Sequence, residues 1–316
     1  MIPNVIKPIV ILGAILCIPL IMPAFFVSQI GSQGIIYGLI ALGTMILAGY
    51  GGMISLAQIT IAGSAAYTVA ILGENSTSIH GYGLSYWIVV PIALAVAVAF
   101  STLIGAAAVR TKGVYTIMIT LAVAAAFFYF TMQNYAVFNG FSGYAGVRAP
   151  AWIGASSGRK FYYICAAIAV LSYCCVVYVA DTPFGLSAQA FRDNEERARA
   201  VGFNVVTHKL ALNAFAGLFS GLGGILLVWF NGRISPGSIS VDVAIDVLVI
   251  AIVGGIRHPV GAFVGAILFL LLKTYAIDLV GAERFNSLIA LVFLTIVFAS
   301  PDGLLGLWRR VRHAAH

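Results

Sequence analysis

Apolar segments alternate with short polar loops along nearly the whole chain. The pattern predicts ten helices, at residues 9–27, 32–50, 54–73, 86–109, 114–132, 161–180, 211–230, 243–256, 260–277 and 286–300. Crossing a bilayer as a helix takes about 20 apolar residues, so the predicted fold class is all-α, a polytopic membrane protein with about ten transmembrane or re-entrant helices. Segments 54–73 and 243–256 are flanked by glycine or short, and for these two both crossing and re-entry stay open.

The polar stretches between these segments are too short to fold on their own. None reaches the roughly 50 residues of a small independent domain, so residues 1–316 are predicted to form a single transmembrane domain. Hydrophobic residues make up 61% of the chain and charged residues only 9%, against about 25% charged in soluble domains. This composition excludes an ordinary soluble enzyme. A soluble catalytic or ATP-binding module must sit on another chain, and the function is transport or chemistry within the membrane.

The net charge of +7 comes mainly from basic residues in the loops. If the N-terminus is cytoplasmic, eleven lysines and arginines fall in inside loops and five in outside loops. Cytoplasmic loops are enriched in these residues, so both termini are predicted to be cytoplasmic. The segment 9–27 follows Lys7 and is interpreted as a retained helix, because it is longer than a signal-peptide core. No basic stripe carries aromatic partners, which argues against nucleic acid as a partner.

The most polar stretch runs from residue 185 to 209, within a predicted cytoplasmic loop at 181–210. Its acidic residues precede its arginines, an order that suits the helix dipole. Glu195 and Arg199 are spaced i,i+4, and Gly202 is a plausible C-terminal stop. We predict an amphipathic helix with an exposed polar face. A solvated helix without a partner and a docking surface for an ATPase subunit are both open interpretations.

Four blocks of the sequence carry a resemblance to a known family. They are GYGGMISLAQ and the residues after it at 49–72, the polar stretch and next helix at 185–227, the segment 234–266, and PDGLL at 301–305. Together they resemble the inner-membrane permeases of branched-chain amino acid ABC importers, the LivM/LivH type. The resemblance covers about residues 35–307, nearly the whole chain.

The resemblance implies a permease subunit that catalyses no reaction and binds no cofactor itself, with ATP bound by partner subunits. Its partners would be a second homologous permease, cytoplasmic ATPase subunits, a periplasmic or extracellular binding protein and the lipid bilayer of the bacterial inner membrane. The small-molecule substrate would be a branched-chain amino acid, with urea, short amides and aromatic acids left open. The residues implied in coupling to the ATPase subunit are Gly185, Arg192, Asp193, Asn194, Glu195, Ala198 and Gly202.

Uncharged polar groups at membrane depth point to a translocation pathway. Such groups are costly there unless they are paired with another helix, water or substrate, and a zwitterionic amino acid needs a polar route without a strong fixed charge. The predicted pathway residues are Ser55, Gln58, Gly63, Tyr67, Gly254 and Gly255. The alternative is that these groups bond neighbouring backbone inside the bundle. The likeness of YGGM to VGGI hints at two related halves.

Charge within the predicted spans is scarce. Asp246 and Lys273 are the clear candidates, and they either pair across helices or reach the membrane interface. This scarcity argues against an ion-coupled secondary transporter, the first rival. An intramembrane enzyme, the second rival, lacks a recognisable nucleophile, and the histidines show no metal-ligand spacing. The outside loop at 133–160, together with 231–242, is the predicted surface for the binding protein.

Overall fold

The computed structural model describes residues 26–77, 81–150 and 158–280, with a few isolated positions that include Gly303. The predicted helices at 9–27 and 286–300 and both termini therefore lie almost wholly outside the described residues. Eleven helices occur in the described ranges: α1 (Phe26–Tyr50), α2 (Gln58–Leu72), α3 (Tyr86–Ala108), α4 (Val114–Gln133), α5 (Tyr135–Phe138), α6 (Gly158–Ala180), α7 (Pro183–Asp193), α8 (Glu195–Ala200), α9 (Val205–Asn231), α10 (Val241–Gly254) and α11 (Pro259–Val280).

The eight central segments predicted from hydropathy are confirmed as helices, with ends that shift by a few residues. By length and composition, six helical stretches are long enough to cross a membrane: Phe26–Tyr50, Tyr86–Ala108, Val114–Gln133, Gly158–Ala180, Val205–Asn231 and Pro236–Gly254. Shorter apolar helices are Gln58–Leu72 and Pro259–Tyr275. The described chain is thus a polytopic helical protein, as the alternation of apolar and polar segments predicts.

Helix α9 lies at the centre of the bundle and packs against α1, α2 and α3. Glycines make these approaches possible, since a Cβ on Gly224 would overlap the carbonyl oxygen of Ala62 in α2. Gly217 and Gly221 face α3 in the same way. Helices α10 and α11 form a second pair, and both pack on α1. Small residues at these helix contacts therefore allow the close packing of the bundle.

The two ends of the bundle differ in structure. One end carries α7 and α8 and is called the α7 end. The other carries a two-stranded antiparallel ribbon of β1 (Tyr144–Ala145) and β2 (Arg233–Ile234), and is called the ribbon end. The ribbon joins the predicted outside loop at 133–160 to the segment at 231–242, although 151–152 and 154–157 are outside the described residues. These short strands are a departure from the all-helical prediction.

Helix α2 runs from one end of the bundle to the other. Gly52, just before it, lies against α7, whereas Glu74, just after it, accepts a hydrogen bond from the backbone N–H of Arg148 at the ribbon end, with an N–O distance of 3.0 Å. Its 15 residues span only about 22 Å, and the non-helical residues 51–57 complete the distance. Segment 54–73 therefore passes through the bundle and does not re-enter on the same side.

Candidate functional site

The polar stretch forms two helices, α7 and α8, instead of the one continuous helix that the charge pattern predicts. The break lies at Asn194, whose backbone is extended and whose side-chain oxygen accepts a hydrogen bond from the N–H of Arg197, with an O–N distance of 2.9 Å. Asn194 thus caps a new helix, which offsets the loss of helical bonds at the break. Gly202, with φ +95°, follows the end of α8 as predicted.

Glu195 ties α8 to the first turns of α9. Its carboxylate accepts hydrogen bonds from Arg199 in α8 and from Lys209 in α9, the latter with an N–O distance of 3.0 Å. The Lys209 side chain is only 7% exposed and that of Glu195 15%. Burial acts to raise the pKa of the Glu195 carboxyl, but the hydrogen bond and charge of Lys209, the hydrogen bond from Arg199 and the charge of Lys112 together outweigh it and lower the pKa below its usual value.

The lowered pKa of Glu195 sets a pH dependence of stability. A carboxyl whose pKa falls on folding stabilises the native state above its unfolded pKa, and this contribution is lost as pH falls through the folded pKa. We expect the melting temperature of the wild-type chain to exceed that of Glu195→Gln at neutral pH and the two to converge as pH falls below the ordinary value of 4.5. Thermal melts in detergent from pH 7 to pH 3 measure this; a constant difference across the range would contradict it.

A groove of about 550 Å³ lies between α7 and α8. Its walls include Ala190, Phe191, Asp193, Asn194, Arg197, Ala198, Val201 and Phe203. Val201 is 73% exposed and Phe203 is 47% exposed. Both apolar side chains lie outside the apolar spans, at the polar α7 end. Exposed apolar groups at a polar end of a protein are typical of an interaction surface.

Two further predicted coupling residues, Ala198 and Gly185, hold the helices that form this groove. Ala198 is buried beside Phe191 and Val205 and fixes α8 against its neighbours. At Gly185, a Cβ would lie 2.6 Å from the Cα of Ala180, so glycine lets the start of α7 approach the end of α6. The seven predicted residues therefore form one structural unit, within which they have different tasks.

Arg192 faces the membrane bundle and not the groove. Its Nη1 donates a hydrogen bond to the carbonyl oxygen of Gly49 in the last turn of α1, with an N–O distance of 2.6 Å. Its Nε and Nη2 both donate to Oδ1 of Asp193, at 3.0 and 2.9 Å. Gly52 has φ +65°, and a Cβ there would come within 3.0 Å of the Arg192 side chain. The arginine therefore occupies the space that the glycine leaves open.

The break after α1 meets the turn between α10 and α11. A Cβ on Gly49 would overlap the carbonyl group of Ile256, and a Cβ on Gly303 would lie 2.6 Å from the Cα of Gly255. Gly255 itself has φ +115°, which an L side chain rarely adopts. We call this meeting point of Gly49, Gly255, Ile256 and Gly303 the glycine junction. It joins backbone to backbone with almost no side chain between.

Gln58 is buried where α2 meets α1 and α9. It is 1% exposed, and its Oε1 accepts a hydrogen bond from Ser220 of α9 with an O–O distance of 2.5 Å. The Nε2 of Gln58 and the hydroxyls of Thr44 and Thr60 are buried without a hydrogen-bond partner among the described residues. Ser55 lies just before α2 and accepts a hydrogen bond from the N–H of Ala57. The amide of Gln58 is therefore only half satisfied.

Removing the Ser220 hydroxyl is expected to destabilise the bundle. Ser220→Ala leaves the buried Gln58 carbonyl without its donor, which costs about 1–3 kcal/mol. Thr102→Val is the matched control, because the Thr102 hydroxyl donates only to carbonyls of its own helix. In thermal unfolding in detergent, we expect the melting temperature of Ser220→Ala to be clearly below that of wild type and that of Thr102→Val to differ little from it. Equal melting temperatures for the two variants would show that the Gln58–Ser220 bond adds no stability.

Tyr67 and Gly63 lie farther along α2, toward the ribbon end. The Tyr67 ring packs edge-on against Phe138, with ring centroids 5.1 Å apart, and borders a cleft of about 360 Å³ between α2, α3 and α4. The hydroxyls of Ser64 and Thr68, which also line the cleft, donate to carbonyls of α2 itself. The cleft surface is consequently almost wholly apolar. Gly63 faces Ile239 instead.

The six predicted pathway residues thus fall into three places. Ser55 and Gln58 are buried at the start of α2, Gly63 and Tyr67 lie nearer the ribbon, and Gly254 and Gly255 lie at the packing of α10 on α11 and at the glycine junction. The six residues therefore occupy three separate packing environments in the described part of the chain.

The comparison with known proteins gives the family. The family described as the permease component of the branched-chain amino acid transport system matches residues 26–298. This chain belongs to that family. Relatives include the high-affinity branched-chain amino acid transport system permease proteins LivM of Salmonella typhimurium and of Escherichia coli, each 24% identical over 97% of this chain and 77% of the relative. No solved structure matches the chain.

Family membership confirms the predicted resemblance and makes the chain a transport component without a catalytic domain. In this permease, the four blocks that carry the resemblance lie far apart along the chain, yet three of them meet at the glycine junction and the fourth reaches it through Arg192. The PDGLL block is represented there by Gly303, its one described residue. Contact at or through the glycine junction is therefore a structural feature that all four blocks share.

Three residues of the permease site are absent from the predictions: Lys209, Ser220 and Gly49. Lys209 is the last charge before the long apolar run of α9, and Ser220 is a lone hydroxyl within that run. Both signals are visible in the sequence, but neither shows which residue it faces. Gly49 acts through its carbonyl oxygen, which no sequence pattern marks.

The two charges within the predicted spans form a pair in the permease. Lys273 of α11 and Asp246 of α10 have an N–O distance of 3.5 Å, with side chains 41% and 24% exposed. The Lys273 ammonium also lies 5.8 Å from the centre of the Phe269 ring. Of the two interpretations, cross-helix pairing is the one that the structure shows.

Proposed function

We propose that this permease forms half of the transmembrane part of an ABC importer for branched-chain amino acids in a bacterial inner membrane. A second homologous permease supplies the other half, and separate subunits hydrolyse ATP. The observation that carries the proposal is the exposed apolar groove between α7 and α8, held to the bundle by Glu195 and Arg192. A rigid, partly apolar surface at a polar end is what a soluble ATPase subunit needs in order to dock.

The α7 end is assigned to the cytoplasm because lysines and arginines are concentrated there. Arg110 and Lys112 join the arginines of α7 and α8 at this end. The described basic residues of the ribbon end are fewer: Arg148, Arg159, Lys160 and Arg233. Cytoplasmic loops of membrane proteins carry the excess of such residues. The ribbon end then faces outward and offers an exposed aromatic surface, including Phe141 at 70% exposure, to a substrate-binding protein.

The substrate route is proposed to follow α2. Tyr67 and the apolar cleft beside it suit a branched aliphatic side chain, and the half-satisfied Gln58 amide has a donor available for a substrate carboxylate. Ser55 and Gly63 complete the route along α2, and Gly254 and Gly255 let α10 move against α11. Opening this route requires α2 to move relative to α9, because Gln58 is buried between them.

Copurification followed by reconstitution tests the proposal. The tagged chain is purified from its native membrane, its partners are identified by mass spectrometry, and uptake of labelled leucine is measured in liposomes with and without ATP. We expect ATPase subunits, a second permease and a binding protein that holds leucine, isoleucine or valine. Urea, a short amide or an aromatic acid on the binding protein would keep the mechanism and change the substrate. Transport by the chain alone under an ion gradient, without ATP, would overturn the proposal.

A further inference from the structure

We propose that Asp193 and Arg192 form a relay that carries movement of a docked ATPase subunit to the glycine junction, with Arg192 as the positioning residue. The inference rests on the proposed function. Asp193 lies in the wall of the groove, and its side chain is 70% exposed. Its Oδ1 holds two nitrogens of the neighbouring guanidinium, while the third nitrogen, Nη1, reaches Gly49. One side chain therefore connects the docking surface to the bundle.

The carbonyl groups at the end of α1 require hydrogen-bond donors from outside the helix. The last carbonyl groups of a helix have no intrahelical partner and carry partial negative charge. The break at Gly51 and Gly52 leaves α1 with this kind of end inside the protein. Two of its carbonyls accept bonds from Gly51 and Met53, and Gly49 is supplied by the charged guanidinium at 2.6 Å. A charge-assisted bond of this kind is shorter and stronger than a neutral one.

The geometry of the Arg192 side chain suits it to transmit movement of α7 to the end of α1 in either direction. Its planar fork holds Asp193 with two donors and Gly49 with another, so the three groups move together unless a bond breaks. Since Gly49 lies directly against Ile256, any displacement of the α1 end also displaces the turn between α10 and α11. Movement of α7 thus reaches the breaks before α2 and after α10 at once, and α2 carries the proposed route.

Two measurements on Arg192→Gln test the relay. In the isolated chain, we expect faster hydrogen exchange at the amides of residues 50–53 and unchanged exchange in the middle of α9. In liposomes with ATPase subunits, we expect ATPase affinity within about twofold of wild type and at least a tenfold fall in substrate transported per ATP hydrolysed. A purely structural role would lower transport and hydrolysis together and leave their ratio intact.

Further variants separate the relay from general damage. Arg110→Gln removes the same charge from an exposed position at the same end of the bundle and should keep the wild-type ratio. Gly52→Ala leaves all charges in place but crowds Arg192. It should cause the same fall in substrate transported per ATP hydrolysed. Arg192→Lys, which keeps the charge without the fork, should recover the ratio only in part.

Each result bears on the relay. Unchanged exchange at 50–53, or faster exchange with an unchanged transport ratio, would overturn it. A tenfold loss of ATPase affinity with an intact ratio would make Arg192 a docking residue and would also overturn it. If the wild-type complex shows no ATP-driven transport, the proposed function fails, whereas the exchange measurement still reports whether Arg192 holds the end of α1.

Discussion

Replacing Glu195 with lysine is expected to abolish ATP-driven transport and association with the ATPase subunit. Glu195→Lys places a third cation beside Lys209 and Arg199, where a single carboxylate now holds both of them. Because the Lys209 side chain is almost fully buried, its charge is left without compensation. Removing one partner of a buried ion pair costs about 3–5 kcal/mol, enough to detach α8 from α9 and to remove one wall of the groove.

A neighbouring glutamate provides the matched control. Glu196 lies on the same short helix and is exposed, so Glu196→Lys makes the same charge change without disturbing Lys209. Copurification with the ATPase subunit and uptake in liposomes are compared for the two variants. Normal ATPase association together with normal transport in Glu195→Lys would show that the coupling role assigned to this segment is wrong.

Adding a single methyl group at Gly224 is expected to disrupt the bundle. A Cβ there would overlap the carbonyl of Ala62 and lie 2.8 Å from its Cα. These are backbone atoms of α2, so relief requires moving one helix against another and not merely rotating a side chain. Overpacking in a filled core costs typically about 1–3 kcal/mol and occasionally more, and contact with rigid backbone places Gly224→Ala at the upper end.

The effect of Gly224→Ala is measured against Gly158→Ala. At Gly158, the nearest atom to a Cβ is the side chain of Ser28 at 3.6 Å, an ordinary contact. We expect Gly158→Ala to melt within a few degrees of wild type in detergent and Gly224→Ala to lose most of its monodisperse fraction in size-exclusion chromatography. Similar melting temperatures for both variants would mean that α9 and α2 can separate at little cost.

The helices of the described chain are predictable because their signal is strong and local. Apolar runs such as 86–109 exceed the length that a membrane crossing needs, and their polar flanks mark the ends. The i,i+4 pair of Glu195 and Arg199 and the stop at Gly202 are local in the same sense. These features depend on neighbouring residues along the chain, and the sequence displays them directly.

Features that depend on distant parts of the chain are not predictable in this way. The break at Asn194 is a choice between continuing a helix and capping a new one, and the sequence permits both. The ribbon of β1 and β2 joins residues about 90 positions apart. Arg192 looks like its neighbouring surface charges in the sequence, but the open space at Gly52 turns it toward the bundle. In each case a tertiary contact decides between local options.

The burial of α2 has a consequence for how the protein is made. Most of its side chains are enclosed by α1, α3 and α9, and 15 residues are too few to span a hydrocarbon layer of about 30 Å as a helix. During synthesis, α1 and α3 reach the membrane well before α9, which begins 133 residues after the end of α2. We therefore expect α2 to stay incompletely buried until α9 has been translated. Nascent chains that end before α9 should then be preferred substrates of membrane quality-control proteases.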